Sequence, residues 1–173
     1  MGRLFYMSDK FKNKYKINSA RLKEYDYAQP GMYFVTICTN DRKEFFGEII
    51  NGEMKLNEMG EIVKEEWLQT AIIRPNIFLD EWVIMPNHIH GIIEIKNVET
   101  PRWGVSLGSI INQIKSICTK KIWKSGYVDF AWQSRFYDHI IRNDESLNKI
   151  REYIRINPQR WEEDRSNIEN IFM

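Results

Sequence analysis

Apolar positions change their period several times along this chain, and each change marks an element. "MYFVTICT" (32–39) is an unbroken run of aromatic and β-branched residues, the pattern of a buried strand. Short apolar stretches then flank Asn51-Gly52, the dipeptide of a two-residue hairpin turn. From Met59 the spacing lengthens. Met59, Ile62, Val63, Trp67 and Ala71 share one face of a helix, with Asn57 placed as its cap and Pro75 just past its end. "IFLDEWVIM" (77–85) and "HIHGIIEI" (88–95) return to strand patterning. Only Pro86-Asn87 separates them, so they are expected to pair antiparallel.

A second helix is expected after Ser109, its predicted cap, with Ile110, Ile111, Ile114, Ile117, Cys118 and Ile122 as its apolar stripe. "FAWQSRFYDHIIR" (130–142) reads as a fourth strand. "NDESLNKIREYIRINP" reads as a last helix, capped by Asn143 or Asp144 and stopped by Pro158. Without the hairpin and the last helix, the order is βαββαβ. That predicts an α+β fold, a ferredoxin-like antiparallel sheet with two helices on one face. The other face is left for the last helix or for a ligand.

Charge adds a second layer. Residues 1–30 are expected to form a basic arm, with Arg3, Lys10, Lys12, Lys14, Lys16, Arg21 and Lys23 against three acids. One domain spans 31–161, and 162–173 form an acidic tail. No acid occurs from Thr100 to Val128, where Lys115, Lys120, Lys121 and Lys124 lie mostly off the helix stripe. Such asymmetry points mildly to a polyanionic partner, although a solvated helix face reads the same way. Cys38 and Cys118 lack CxxC spacing and read as core residues. With no apolar leader and no membrane-length apolar run, a cytoplasmic protein without a membrane partner is expected.

The chain holds three histidines, and two of them are His88 and His90. On a strand these point to one face with Ile92 and Glu94, while Ile89, Gly91, Ile93 and Ile95 face the covering helices. Two imidazoles about 7 Å apart on one face can ligate a single metal ion. An isolated HxH is more often two surface histidines. The third, His139, follows Asp138 on the fourth strand, where it is a candidate ligand or supporting residue. Tyr153 and Asn157 stack at i, i+4 on the last helix. A tyrosine beside a metal site can act as a nucleophile. Tyr137, two residues from His139, is its rival.

"VIMPNHIHGIIEI" followed by "WQSRFYDHIIRNDESLNKIREYIRINP" resembles the single-tyrosine HUH transposases, IS200-like, and within them the REP-associated tyrosine transposases. "FVTICTNDR" resembles them too. The resemblance runs from Tyr33 to Trp161. It implies a ferredoxin-like sheet with the HUH strand at its centre. It also implies single-stranded DNA cleavage and strand transfer beside a hairpin through a 5′-phosphotyrosine, dependent on Mg²⁺ or Mn²⁺. Carried over by position, His88 and His90 are the metal pair, Tyr153 the nucleophile and Asn157 a metal-shell amide. The protein is expected to act as a monomer or a homodimer. Lys115, Lys120, Lys121, Lys124, Arg142, Arg21 and Lys23 are candidate DNA contacts, and Trp103, Trp123 and Trp132 candidate stacking platforms. The alternative is a non-catalytic hairpin or single-strand binder, a domesticated relative.

Overall fold

A computed structural model of the chain describes residues 10–11, 14–15, 26–97 and 105–161. Arg21, Lys23, Trp103 and the acidic tail lie outside them. Strands β1 (Lys10–Phe11) and β2 (Lys14–Tyr15) form a small ladder. The main body runs β3 (Gly31–Cys38), β4 (Gly47–Ile50), β5 (Glu53–Leu56), α1 (Glu58–Ile72), β6 (Ile77–Met85) and β7 (His88–Ile95). It continues with α2 (Leu107–Lys124), β8 (Tyr137–Ile141) and α3 (Asp144–Ile156).

Four strands make one antiparallel sheet in the order β6-β7-β3-β8, the ferredoxin-like arrangement with β7 and β3 in the middle. β4 and β5 form the separate hairpin turning at Asn51-Gly52. Among the described residues no helix is long and apolar enough to cross a membrane.

Strand alternation divides the interior in two. Tyr33, Val35 and Ile37 of β3 and Ile89, Ile93 and Ile95 of β7 pack with Val63 and Trp67 of α1 and Ile110, Ile114 and Cys118 of α2. On the opposite face Phe34, Ile92 and Ile141 meet Leu147 and Ile154 of α3. The last helix thus covers the face that carries the histidines. Gly91 shows how tightly the first layer closes. A Cβ there would lie 2.3 Å from Trp67 Cζ2 and 2.7 Å from Cη2. Gly91→Ala is expected to cost about 1–3 kcal/mol through overpacking, read as a lower urea midpoint with an unchanged slope. An unchanged midpoint would mean that the Trp67 ring can withdraw freely.

Two expected boundaries move. The second helix begins three residues early, because Ser106 is its cap. The Ser106 hydroxyl accepts from Ser109 N–H, and the Ser109 hydroxyl donates back to Ser106 O. The fourth strand is shorter than 130–142, since residues 130–136 hold only a single bridge, Trp132 to Thr39. Their backbone groups are satisfied elsewhere. Lys115 Nζ donates to the carbonyls of Gln133 and Arg135, Gln133 N–H donates to Cys38 O, and Asn40 N–H to Ala131 O. The Asn57 and Asn143 caps form as expected, each accepting from the N–H three residues on.

Candidate active site

Central β7 places His88 opposite Cys38 and Met85, and His90 opposite Thr36 and Val83. Both rings are buried, at 3 % and 1 % exposure, and lean together until their Nε2 atoms are 3.0 Å apart. Asn87 supports the pair from the β6–β7 turn. Its Nδ2 donates to Arg42 O, which turns Oδ1 towards His88 Nδ1 at 2.7 Å. An amide oxygen only accepts, so His88 carries its proton on Nδ1 and keeps a lone pair on Nε2. Thr36 Oγ1 lies 2.8 Å from His90 Nδ1. A hydroxyl either donates or accepts, so His90 can present Nε2 in either form.

Burial, with the nearby charge of Arg42, pushes the His88 pKa down to about 3. Burial and then His88 hold His90 well below the usual imidazole range. Both rings are therefore neutral at physiological pH, the state that binds metals. Nitrogens 3.0 Å apart also match adjacent corners of an octahedral shell with bonds of about 2.1 Å. The donor set fits a divalent ion whose other positions are taken by oxygen atoms.

α3 brings the remaining parts. The Tyr153 hydroxyl sits 3.4 Å from His90 Nε2, and its ring meets His90 and Phe34 with centroids 5.3 and 6.2 Å away. Asn157, one turn on, is buried at the helix C-cap. Trp161 packs beside the His88 ring, 6.0 Å away. α3 is tied to the sheet at a bulge in β6, where Asp80 and Glu81 together stand against one residue of β7. Arg151 grips Asp80 through two hydrogen bonds of 2.8 and 2.5 Å, and Arg155 Nε donates to Glu81 at 3.0 Å. The Arg151 hydrogen bonds hold the Asp80 carboxyl below its ordinary pKa, against the opposing effect of burial. Because the folded value is the lower one, this clasp stabilises at pH values above the ordinary carboxyl pKa. Its contribution is lost as pH falls through the depressed one.

Other candidates fall elsewhere. Tyr137 touches Phe34 at 6.4 Å, and burial and then Asp138 raise its pKa. His139 shares the α3 face, opposite Phe34, but is exposed on β8, two strands from β7. Among the described residues no cluster of three His, Cys, Asp or Glu side chains is placed to hold a metal. Lys115 is not on the expected DNA surface, because its ammonium is turned inward onto the carbonyls of Gln133 and Arg135. Lys121 is paired with Glu66 and, at 3.7 Å, with Glu65. Lys120, Lys124 and Arg142 are exposed.

Thr36, Asn87 and the Arg151–Asp80 clasp were not among the sequence candidates. One signal was available: Thr36 is the lone aliphatic hydroxyl between Met32 and Cys38, and a buried hydroxyl needs a partner.

Comparisons with known proteins bear on the family and the fold. The family model described as transposase IS200 like matches residues 29–157. An uncharacterized protein of Haemophilus influenzae is 40 % identical over 162 residues, 84 % of this chain and 90 % of that protein. A REP-associated tyrosine transposase, solved bound to a REP hairpin, superposes with a TM-score of 0.60 at 23 % identity. That match covers 82 % of this chain and 74 % of the other, and it shows the shared fold. The family pattern spans the sheet, the histidine pair and the tyrosine helix, and the chain belongs to the IS200-like transposase family.

Proposed function

We propose that this transposase cleaves and rejoins single-stranded DNA beside a hairpin, with Tyr153 as nucleophile. The observation that carries the reading is the Tyr153 hydroxyl 3.4 Å from the imidazole pair of His88 and His90. The REP hairpin bound by the structural relative supports hairpin DNA as the partner class.

His88 and His90 would hold a divalent ion, Mg²⁺ or Mn²⁺, with the Asn157 amide oxygen directly or through water. Bound there, the ion supplies a Lewis acid that offsets charge on the phosphate and favours the phenolate form of a nearby tyrosine. Tyr153 Oη attacks the scissile phosphorus in line and gives up its proton to solvent. The Oη–P bond forms as the P–O3′ bond breaks. The departing 3′ oxygen takes a proton and becomes a 3′-OH, while the 5′ phosphate stays on the tyrosine. Attack by a second 3′-OH reverses the sequence on a new strand and returns the phenol, so no nucleotide triphosphate is consumed. Arg151 and Arg155 fix the helix that aims Oη. Lys120, Lys124 and Arg142 contact phosphates, giving affinity and salt dependence without choosing the sequence.

The test is covalent trapping. Hairpins with single-stranded flanks, taken from beside the gene, are incubated with the protein and Mn²⁺ or Mg²⁺, then run on a denaturing protein gel. A slower band is expected with metal and none with EDTA. Full adduct in EDTA would sink the metal reading. Hairpin binding with no adduct under any metal would favour a non-catalytic binder.

A further inference from the structure

A second feature lies away from the histidine–tyrosine centre, on the far side of the sheet. There α2 and the irregular segment before β8 enclose an open cavity of about 440 Å³. Its walls carry Lys120, Trp123, Trp132, Thr119, Ser116 and Gln133, and no lining residue is acidic. The aromatic wall is rigid. Trp123 is 49 % exposed, yet its indole N–H donates to Phe130 O at 2.9 Å, which fixes the ring plane. Trp132 packs edge-on against Phe130, centroids 5.2 Å apart. The inward-turned Lys115 pins the opposite wall by its bonds to Gln133 O and Arg135 O.

A fixed, half-exposed indole next to a lysine, with no carboxylate in the cavity wall, is the chemistry that takes a base on its face and a phosphate at its edge. Lys121 is occupied by Glu65 and Glu66, whereas Lys120 is exposed and makes no ion pair among the described residues. The cavity is also linked to the centre. Gln133 N–H bonds to Cys38 O at 2.9 Å, and Cys38 stands directly opposite His88. One wall of the cavity therefore begins at the end of the sheet that carries the histidine pair.

Resting on the proposed function, we infer that this cavity binds an unpaired nucleotide of the DNA strand flanking the hairpin, its base stacked on Trp123 and its phosphate on Lys120. The site would add affinity for a single-stranded flank while the hairpin stem is held elsewhere.

The test measures equilibrium binding of two labelled DNAs, a blunt hairpin and the same hairpin with a single-stranded flank. Wild type should bind the flanked DNA more tightly. Trp123→Ala should weaken flanked-hairpin binding about tenfold, in the range known for one stacked base, and leave the blunt hairpin unchanged. Trp123→Phe keeps a stacking face and should retain most of the affinity. Lys120→Glu reverses an exposed charge without touching the packing. It should weaken the flanked DNA and lower the slope of log affinity against log salt by at least about 0.7. Wild-type affinity in both Trp123→Ala and Lys120→Glu would overturn the inference, as would equal losses on both DNAs. Tighter binding of a flank made of RNA would assign the cavity to RNA instead. Adduct formation by wild type is scored separately. Its absence would sink the cleavage reading, while the flank discrimination still stands or falls on the binding data.

Discussion

Tyr153→Phe is expected to abolish the covalent protein–DNA adduct while leaving the protein folded and bound to its hairpin. The substitution removes one oxygen atom. The ring keeps its edge contacts with Phe34 and His90, so the helix should stay seated on the sheet. The hydroxyl's contact with His90 is long, at 3.4 Å, and its loss should cost about 1 kcal/mol or less. The loss of chemistry, by contrast, should be complete, because the proposed nucleophile is the phenol oxygen that lies against the imidazole pair. Tyr137 is the nearest rival. Burial and the neighbouring Asp138 make its phenol harder to ionise, and its ring meets Phe34 edge-on. Tyr137→Phe should therefore form adduct at the wild-type level. The same gel reads both variants, with hairpin binding by fluorescence anisotropy as the control for folding. An adduct that survives in Tyr153→Phe and disappears in Tyr137→Phe would transfer the nucleophile to β8.

Much of this was legible because local rules and the tertiary structure agree. β6 and β7 match their expected bounds to the residue, since both strands are patterned clearly and Pro86-Asn87 leaves room only for a tight turn. The faces of β7 followed from period two alone, and Gly91 against Trp67 shows why no side chain fits there. The misread parts depend on contacts distant in sequence. Residues 130–136 look like a strand from their aromatics, but Lys115 captures two of their carbonyls from a helix 18 to 20 residues earlier. The spacing Ile111, Lys115, Cys118, Ile122 puts Lys115 on the apolar stripe, where a lysine must turn its ammonium to a buried acceptor. What covers the histidine face was open between the last helix and a ligand. The bulge at Asp80–Glu81 decides it by offering both carboxylates to Arg151 and Arg155. A bulge exists only in the pairing of two strands, so no single segment announces it. The converging imidazoles have a similar origin. The HxH spacing predicted a shared face, while the 3.0 Å approach depends on Asn87 and Thr36 holding the outer nitrogens.

Alanine at His88 or His90 should remove cleavage and metal response together, by roughly a thousandfold, because a Lewis acid at the scissile phosphate is worth several kcal/mol. The loss should appear equally in metal binding followed by calorimetry, where the wild type takes up Mn²⁺ and the variants do not. A stability signature accompanies it. In the folded, metal-free protein both rings are neutral, held so chiefly by burial, with the His88 pKa near 3. In the unfolded chain each imidazole has a pKa of about 6.5. Below that pH the unfolded state takes up two protons that the folded state refuses, so stability falls as pH falls. It is fully present above about pH 6.5 and declines towards the folded values. The limiting slope for two protons is about 2.7 kcal/mol per pH unit. Between about pH 6.5 and 5 most carboxylates are still ionised in both states, so the imidazoles dominate that window. His88→Ala leaves one buried ring and should lower stability at pH 8 through the cavity it opens, yet roughly halve the acid slope. Urea midpoints of the metal-free proteins at pH 8, 6 and 5 measure both effects. An unchanged slope in His88→Ala would mean that His88 is already protonated or solvated in the folded chain, and a ring in that state would not be the ready metal ligand that the cleavage mechanism requires.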